Sequence, residues 1–233
     1  MINIIEVENT EEALALRVSE YLLHRGGAPT LLMIAGGSLP STVLPYFNKQ
    51  ALTPDVTISI FDERCTEDES GLNELLLKKT NFYKQAIDAG VNTIDVVVGS
   101  METCNVVAKD WEERIKRWKH ENHDGEIIVM AGIGADGHVA GILCHTEKET
   151  PIFESSAWIV SHEFQNTTHQ YPVRITPTFT FWREVVDHTF MYLNVPEKLS
   201  ARLAIENDIG TFHETPGRVL RNVTGDVVMY SNK

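Results

Sequence analysis

Short, wholly apolar, β-branched runs recur along this chain with amphipathic stretches between them, and that alternation restricts the fold more than any other feature. Thr30 to Ile34, Val56 to Phe61, Ile94 to Val98, Ile127 to Ala131, Ala157 to Val160 and His188 to Asn194 read as strands. Runs of this kind without polar alternation suit parallel strands covered on both faces. Helical patterns lie near Glu11 to His24, Leu39 to Asn48, Asn73 to Ala89, Glu102 to His120, Thr178 to Glu184 and Glu197 to Asn207. The expectation is an α/β fold, a mostly parallel sheet with helices on both faces and right-handed crossovers. The chain has 233 residues and no stretch of linker composition, so it reads as a single domain.

Two of the strand-like runs end in glycine turns that carry reactive side chains. Ile127 to Ala131 leads into Gly132-Ile133-Gly134-Ala135-Asp136-Gly137-His138, where glycines let backbone approach a ligand closely. Asp136 and His138 are the side chains there with proton chemistry, and histidine titrates near neutrality without help. The plainer reading is a tight turn in which Asp136 caps a following helix and His138 is a surface donor. Leu31 to Pro40 repeats the design with Gly36-Gly37-Ser38, and Pro40 can open a helix because its missing N–H would be unpaired there. The free N–H groups of such a turn form an anion site. Its plainer reading is a strand-to-helix turn with Ser38 as N-cap.

A third run ends in Asp62-Glu63-Arg64, where Arg64 suits a phosphate and Asp62 suits a base or a partner for Arg64. Arg174 and Lys198 read as lying in loops or first helical turns, where a cation can face a bound anion; by composition both also suit an ordinary surface. Pro196 reads as a helix opener. Open α/β sheets gather ligands at the carboxyl ends of their strands, so polar groups delivered by several strands to one edge point to a shared site. The polar stretch His162 to Tyr171 reads as a mobile loop near it.

Charge and cysteine content exclude several classes. A net charge of -13 with no basic cluster argues against nucleic acid as a partner. No apolar run approaches membrane-spanning length and the N-terminus lacks a secretory pattern, so no membrane partner and a cytoplasmic address are expected. Cys65, Cys104 and Cys144 are an odd number without CxxC spacing and read as reduced thiols. His120 and His123 have near-metal spacing but sit in a polar helix end without a supporting carboxylate-rich site, and no metal is assigned. The spacing around Gly36 fits neither the P-loop nor the dinucleotide fingerprint, which weakens a dinucleotide-binding oxidoreductase.

Taken in order, Gly36-Gly37-Ser38, Asp62-Glu63-Arg64, Asn73, Gly132 to His138, Arg174-Ile175-Thr176 and Lys198 resemble the glucosamine-6-phosphate deaminase and 6-phosphogluconolactonase superfamily from about Thr30 to Lys198. The resemblance implies a Rossmann-like α/β domain that binds a sugar 6-phosphate and needs no cofactor. It favours the lactonase branch, which carries Asp-Glu-Arg where deaminases carry Asp-Glu-Tyr. Leu143 stands where deaminases place a glutamate that assists ring opening, and leucine cannot transfer a proton. The chain departs from the lactonase pattern at Ala35 and Leu39, which replace hydroxyl residues, and across Val139 to Cys144.

The implied activity is hydrolysis of 6-phosphoglucono-δ-lactone, a step of the oxidative pentose phosphate route. His138 is expected as base, Asp136 as its orienting group or a sugar contact, and Arg64 against the phosphate or the developing oxyanion. Gly36, Gly37, Ser38, Asp62, Arg174 and Lys198 are expected to bind substrate. A monomer or small homo-oligomer is expected. The alternatives are a sugar-phosphate deaminase or isomerase with Asp62 as base, and a non-catalytic phosphosugar-binding module.

Overall fold

The computed structural model describes residues 2–165 and 167–232. In chain order the elements are β1 (Ile2–Glu6), α1 (Thr10–His24), β2 (Thr30–Ile34), α2 (Leu39–Thr42), β3 (Val56–Ile60), β4 (Glu63–Arg64), α3 (Asn73–Lys78), α4 (Asn81–Asp88) and β5 (Asn92–Ile94). There follow α5 (Cys104–Glu121), β6 (Glu126–Gly132), α6 (Thr150–Phe153), β7 (Ile159–Glu163), β8 (Val173–Pro177), α7 (Phe179–Glu184), β9 (His188–Leu193), α8 (Leu199–Glu206) and β10 (Asp226–Ser231).

Seven strands form one sheet in the order β1-β10-β9-β6-β2-β3-β5, and each pairing in it is parallel. Every residue of β2 and β3 is buried, which explains why those runs carry no polar alternation. Register shows that helices cover both faces. Ser59 and Thr57 of β3 take hydrogen bonds from Trp111 and Trp118 of α5. Ile60, Ile34, Met130 and Phe190 are successive partners across β3, β2, β6 and β9, and so share the opposite face. There Phe190 packs against Tyr21 of α1 with the rings tilted. Asn9 caps α1 by accepting the Glu12 N–H at 3.0 Å, which fixes where that helix begins.

From β2 the chain moves outward through β3 to β5, then returns to the other side of β2 as β6 and continues to β9 and β10. The direction of winding therefore reverses between β2 and β6. A crevice opens above such a point, at the strands' carboxyl ends. A second sheet, β4-β8-β7, is antiparallel and supplies one wall of that crevice.

Several expected boundaries move, each for a local reason. The stretch Leu39 to Asn48 is one turn of α-helix followed by 3-10 turns at Leu44–Tyr46 and Lys49–Ala51, because Pro45 supplies no N–H to continue the ladder. Asn73 to Ala89 splits in two where Thr80 Oγ1 accepts the Tyr83 N–H and starts α4. The valine-rich run after Ile94 leaves the sheet as the Val96 N–H turns to Glu74. The strand expected at Ala157 to Val160 is β7, so His162 and Glu163 belong to a strand rather than to the expected loop. Asn166 of that stretch lies outside the described residues. Arg174 lies in β8 rather than in a loop. Pro196 opens no helix: α8 begins at Leu199.

Cys65 and Cys104 are joined as a disulfide with Cα atoms 6.1 Å apart, which corrects the reading of three reduced thiols. Their separation in sequence concealed it, since the pairing depends on the β4 strand lying against the start of α5. Among the described residues no helix is long and apolar enough to cross a membrane.

Candidate active site

Polar ends of five strands converge on a cavity of about 300 Å³ above the β2–β6 reversal. β2 delivers Gly36, Gly37 and Ser38, β3 delivers Asp62, β4 Arg64, β6 the turn holding Gly134 and His138, and β8 Arg174; Lys198 reaches it after β9. Every residue given a catalytic or substrate-binding role from sequence thus lines the cavity except Asp136, which is hydrogen-bonded to His138 instead.

The His138 turn is shaped around its own side chain. Gly137 adopts a φ of +89°, and a Cβ on Gly134 would fall 2.0 Å from His138 Nδ1, so the imidazole occupies the space that glycine leaves. His138 Nδ1 is 2.6 Å from Asp136 Oδ1, which also accepts the His138 N–H at 3.1 Å. Burial alone would raise the Asp136 carboxyl; the hydrogen bonds and charge of His138 and His169 hold it well below the ordinary carboxylate range. An ionised carboxylate only accepts, so Nδ1 carries the proton and Nε2 keeps the lone pair. No helix follows this turn, so Asp136 is not a helix cap. Cys144 lies behind it with its Sγ 3.2 Å from the Asp136 carbonyl oxygen, and burial with the nearby Asp136 charge pushes the thiol up to about 12. It is no nucleophile at neutral pH.

The glycine turn after β2 is built against Asn73. A Cβ on Gly36 would fall 2.0 Å from the Asn73 side chain, whose Nδ2 donates to the Asp62 carbonyl at 2.9 Å. Asp62 is 5% exposed, and its Oδ1 accepts the Gly36 N–H at 3.4 Å. That N–H is therefore partly committed, whereas those of Gly37 and Ser38 make no hydrogen bond within the chain among the described residues. Ser38 does not cap α2 with its side chain; its Oγ lies 2.9 Å from the Tyr192 hydroxyl.

Arg64 and Arg174 are directly opposite each other across the β4–β8 pair. Like charges so placed repel. Arg174 is 7% exposed and its side chain makes no hydrogen bond or ion pair among the described residues; burial lowers its basicity, with the charge of Asp62 acting the other way. Arg64 donates to the Gly71 carbonyl at 2.9 Å and lies 5.3 Å over the Tyr171 ring, without an acidic partner among the described residues. Glu63, between Asp62 and Arg64, is turned away from the cavity and accepts the N–H groups of Arg64, Asn73 and Glu74 at 2.7–2.8 Å. It thereby fixes β4 to the start of α3, while burial pushes its carboxyl up to about 8 against the pull of those donors. Burial likewise lowers Lys198, whose Nζ is 5.1 Å from the Tyr192 ring centre.

The cavity also holds residues that sequence reasoning passed over. Tyr192 was visible only as one more apolar position of a strand. His169 had no signal beyond lying in the stretch expected to border the site, because it meets Asp136 Oδ2 at 3.0 Å from 33 residues further along. Asp136, His138 and His169 bring possible ligand atoms within 4.8 Å of one another. Both short contacts are hydrogen bonds that a cation would have to break, so the grouping is a chain of imidazole, carboxylate and imidazole.

Residues 7–223 match the family described as glucosamine-6-phosphate isomerases/6-phosphogluconolactonase. The chain belongs to that family, as the ordered motifs and the doubly covered parallel sheet require. No curated protein sequence matches it significantly. Among solved structures, 6-phosphogluconolactonase from Trypanosoma brucei superposes with a TM-score of 0.80 at 17% identity, covering 100% of this chain and 97% of that one. The Trypanosoma cruzi 6-phosphogluconolactonase gives 0.77 at 21% identity over 100% and 94% of the two chains. That of Thermotoga maritima gives 0.74 at 17% identity over 100% and 99%. At these identities the likeness is one of fold.

Proposed function

We propose that the chain hydrolyses 6-phosphoglucono-δ-lactone to 6-phosphogluconate. The observation that carries this reading is a histidine whose Nε2 makes no hydrogen bond among the described residues, sharing one cavity with two opposed arginines that form no ion pair among those residues. A buried cation without a partner costs free energy, and an anionic ligand relieves that cost. The phosphate is assigned to Arg174, Lys198 and the N–H groups of Gly37 and Ser38, with Arg64 beside the phosphate or the oxyanion.

His138 Nε2 takes a proton from water as the water oxygen bonds to C1 of the lactone. The carbonyl electrons move to the oxygen, and the resulting oxyanion is stabilised by the positive wall. When the carbonyl re-forms, the bond from C1 to the ring oxygen breaks and that oxygen receives the proton from His138. Asp136 supports the imidazolium between the two steps, and the distant phosphate holds C1 in place.

Leu143 is 1% exposed and aliphatic at the position where a deaminase needs its glutamate, and Asp62 is engaged with Gly36 and Asn73. Both weigh against ring-opening deamination. The test is loss of freshly generated lactone above its spontaneous rate. Wild type should accelerate it, and His138→Ala should lower kcat by about 100-fold or more while 6-phosphogluconate still binds. Ammonia release from glucosamine 6-phosphate, or lactone loss that His138→Ala leaves untouched, would sink the proposal.

A further inference from the structure

Asp136 serves two imidazoles with two different oxygens. Oδ1 faces His138 Nδ1 at 2.6 Å, Oδ2 faces His169 Nε2 at 3.0 Å, and the two rings stand edge to face with centres 5.1 Å apart. The backbone holds one oxygen of this carboxylate, the His138 N–H donating to Oδ1 at 3.1 Å. Among the described residues, His169 supplies the one hydrogen bond to Oδ2. Without it the carboxylate is held through Oδ1 alone, by the His138 N–H and Nδ1, and the plane of the group is less firmly fixed.

His169 is itself held from the β7–β8 connection. Its N–H donates to Thr167 Oγ1 at 3.2 Å, and two residues on, the Tyr171 hydroxyl donates to Asp68 at 2.7 Å. His169 also lines the cavity, so its ring is placed by tertiary packing rather than by the turn it acts on.

Building on the lactonase reading, we infer that His169 is a positioning residue for the hydrolytic base: it fixes Asp136 from behind and draws off part of the carboxylate's charge, so that His138 is both aimed and kept from becoming too basic. A hydrogen bond to Oδ2 stabilises the anion and leaves less negative charge on Oδ1 to favour the imidazolium. The charged groups facing this pair are Asp136 itself and, around the same cavity, Asp62, Arg64, Arg174 and Lys198. The Cys144 thiol beside Asp136 stays neutral over the assay range.

The test is a titration of His138 by NMR on ring-labelled histidine, with its signal assigned from a His138→Gln spectrum, alongside the pH profile of kcat/KM. In His169→Ala the carboxylate, still hydrogen-bonded to His138 through Oδ1 but relieved of the donor on Oδ2, should raise the His138 midpoint by about half a unit, and the acidic limb of kcat/KM should move up with it. Turnover should fall about tenfold with KM changed less than about twofold. His169→Gln returns an amide N–H to Oδ2 and should bring the midpoint most of the way back. An unmoved midpoint in His169→Ala, or an equal shift in His169→Gln, overturns the inference. Because the titration needs no substrate, the two readings fail separately. A shifted midpoint in a protein that does not speed lactone loss removes the lactonase and keeps the role of His169, while normal turnover with an unmoved midpoint does the reverse.

Discussion

Single atoms decide the geometry of this site. The space that Gly134 leaves empty is the space His138 fills, since a Cβ there would sit 2.0 Å from Nδ1. Gly134→Ala should therefore displace the imidazole and lower kcat by about 100-fold, the effect of misplacing a reacting group by roughly 1 Å. Circular dichroism and Tm should stay near wild type, because the turn is at the surface of the cavity; turnover within about twofold of wild type would show that the ring has another resting place. The importance of Gly134, Asp136 and His138 was legible because a local motif brings them together. His169 was not, because its contact with Asp136 exists only after β7 and β8 have formed.

At the level of elements, the small β4-β8-β7 sheet matters most, and it was the least legible part. β4 has two residues, and β8 is Val-Arg-Ile-Thr-Pro with another proline just before it, a composition that reads as a loop although all five of its residues are buried. The long apolar strands announced themselves through burial on both faces, whereas β8 gains its place from antiparallel pairing with β7 and β4. That pairing sets Arg64 against Arg174, so the wall carries a repulsion that the proposed anion would relieve. Arg64→Met should leave the Tm of the ligand-free protein unchanged or raise it by about 2 °C. It should also raise KM by about tenfold or more, since a charge-assisted contact is lost. Differential scanning fluorimetry reads the Tm and the lactone-hydrolysis assay the KM; a ligand-free Tm several degrees lower would mean that Arg64 stabilises the empty wall.

Across the whole molecule a net charge of -13 surrounds a cationic cavity, so an anionic substrate meets repulsion at a distance and attraction on contact. Salt screens the distant term more than the buried one. Raising ionic strength from about 0.02 to about 0.15 M should increase kcat/KM severalfold, and a steady fall in stopped assays across that range would show that the local positive field already governs approach. Sequence periodicity revealed the parallel sheet but not its order, in which β10, the last strand of the chain, lies between β9 and β1, the first. Ile2 to Glu6 have no neighbour in the sheet other than Val227 to Ser231. The pairing joins segments from opposite ends of the chain, the kind of contact that forms late because its loop is the longest to close. A nascent chain emerging from the ribosome must therefore hold β1 unpaired until β10 has been made, so that edge of the sheet is completed only after all its other strands are available.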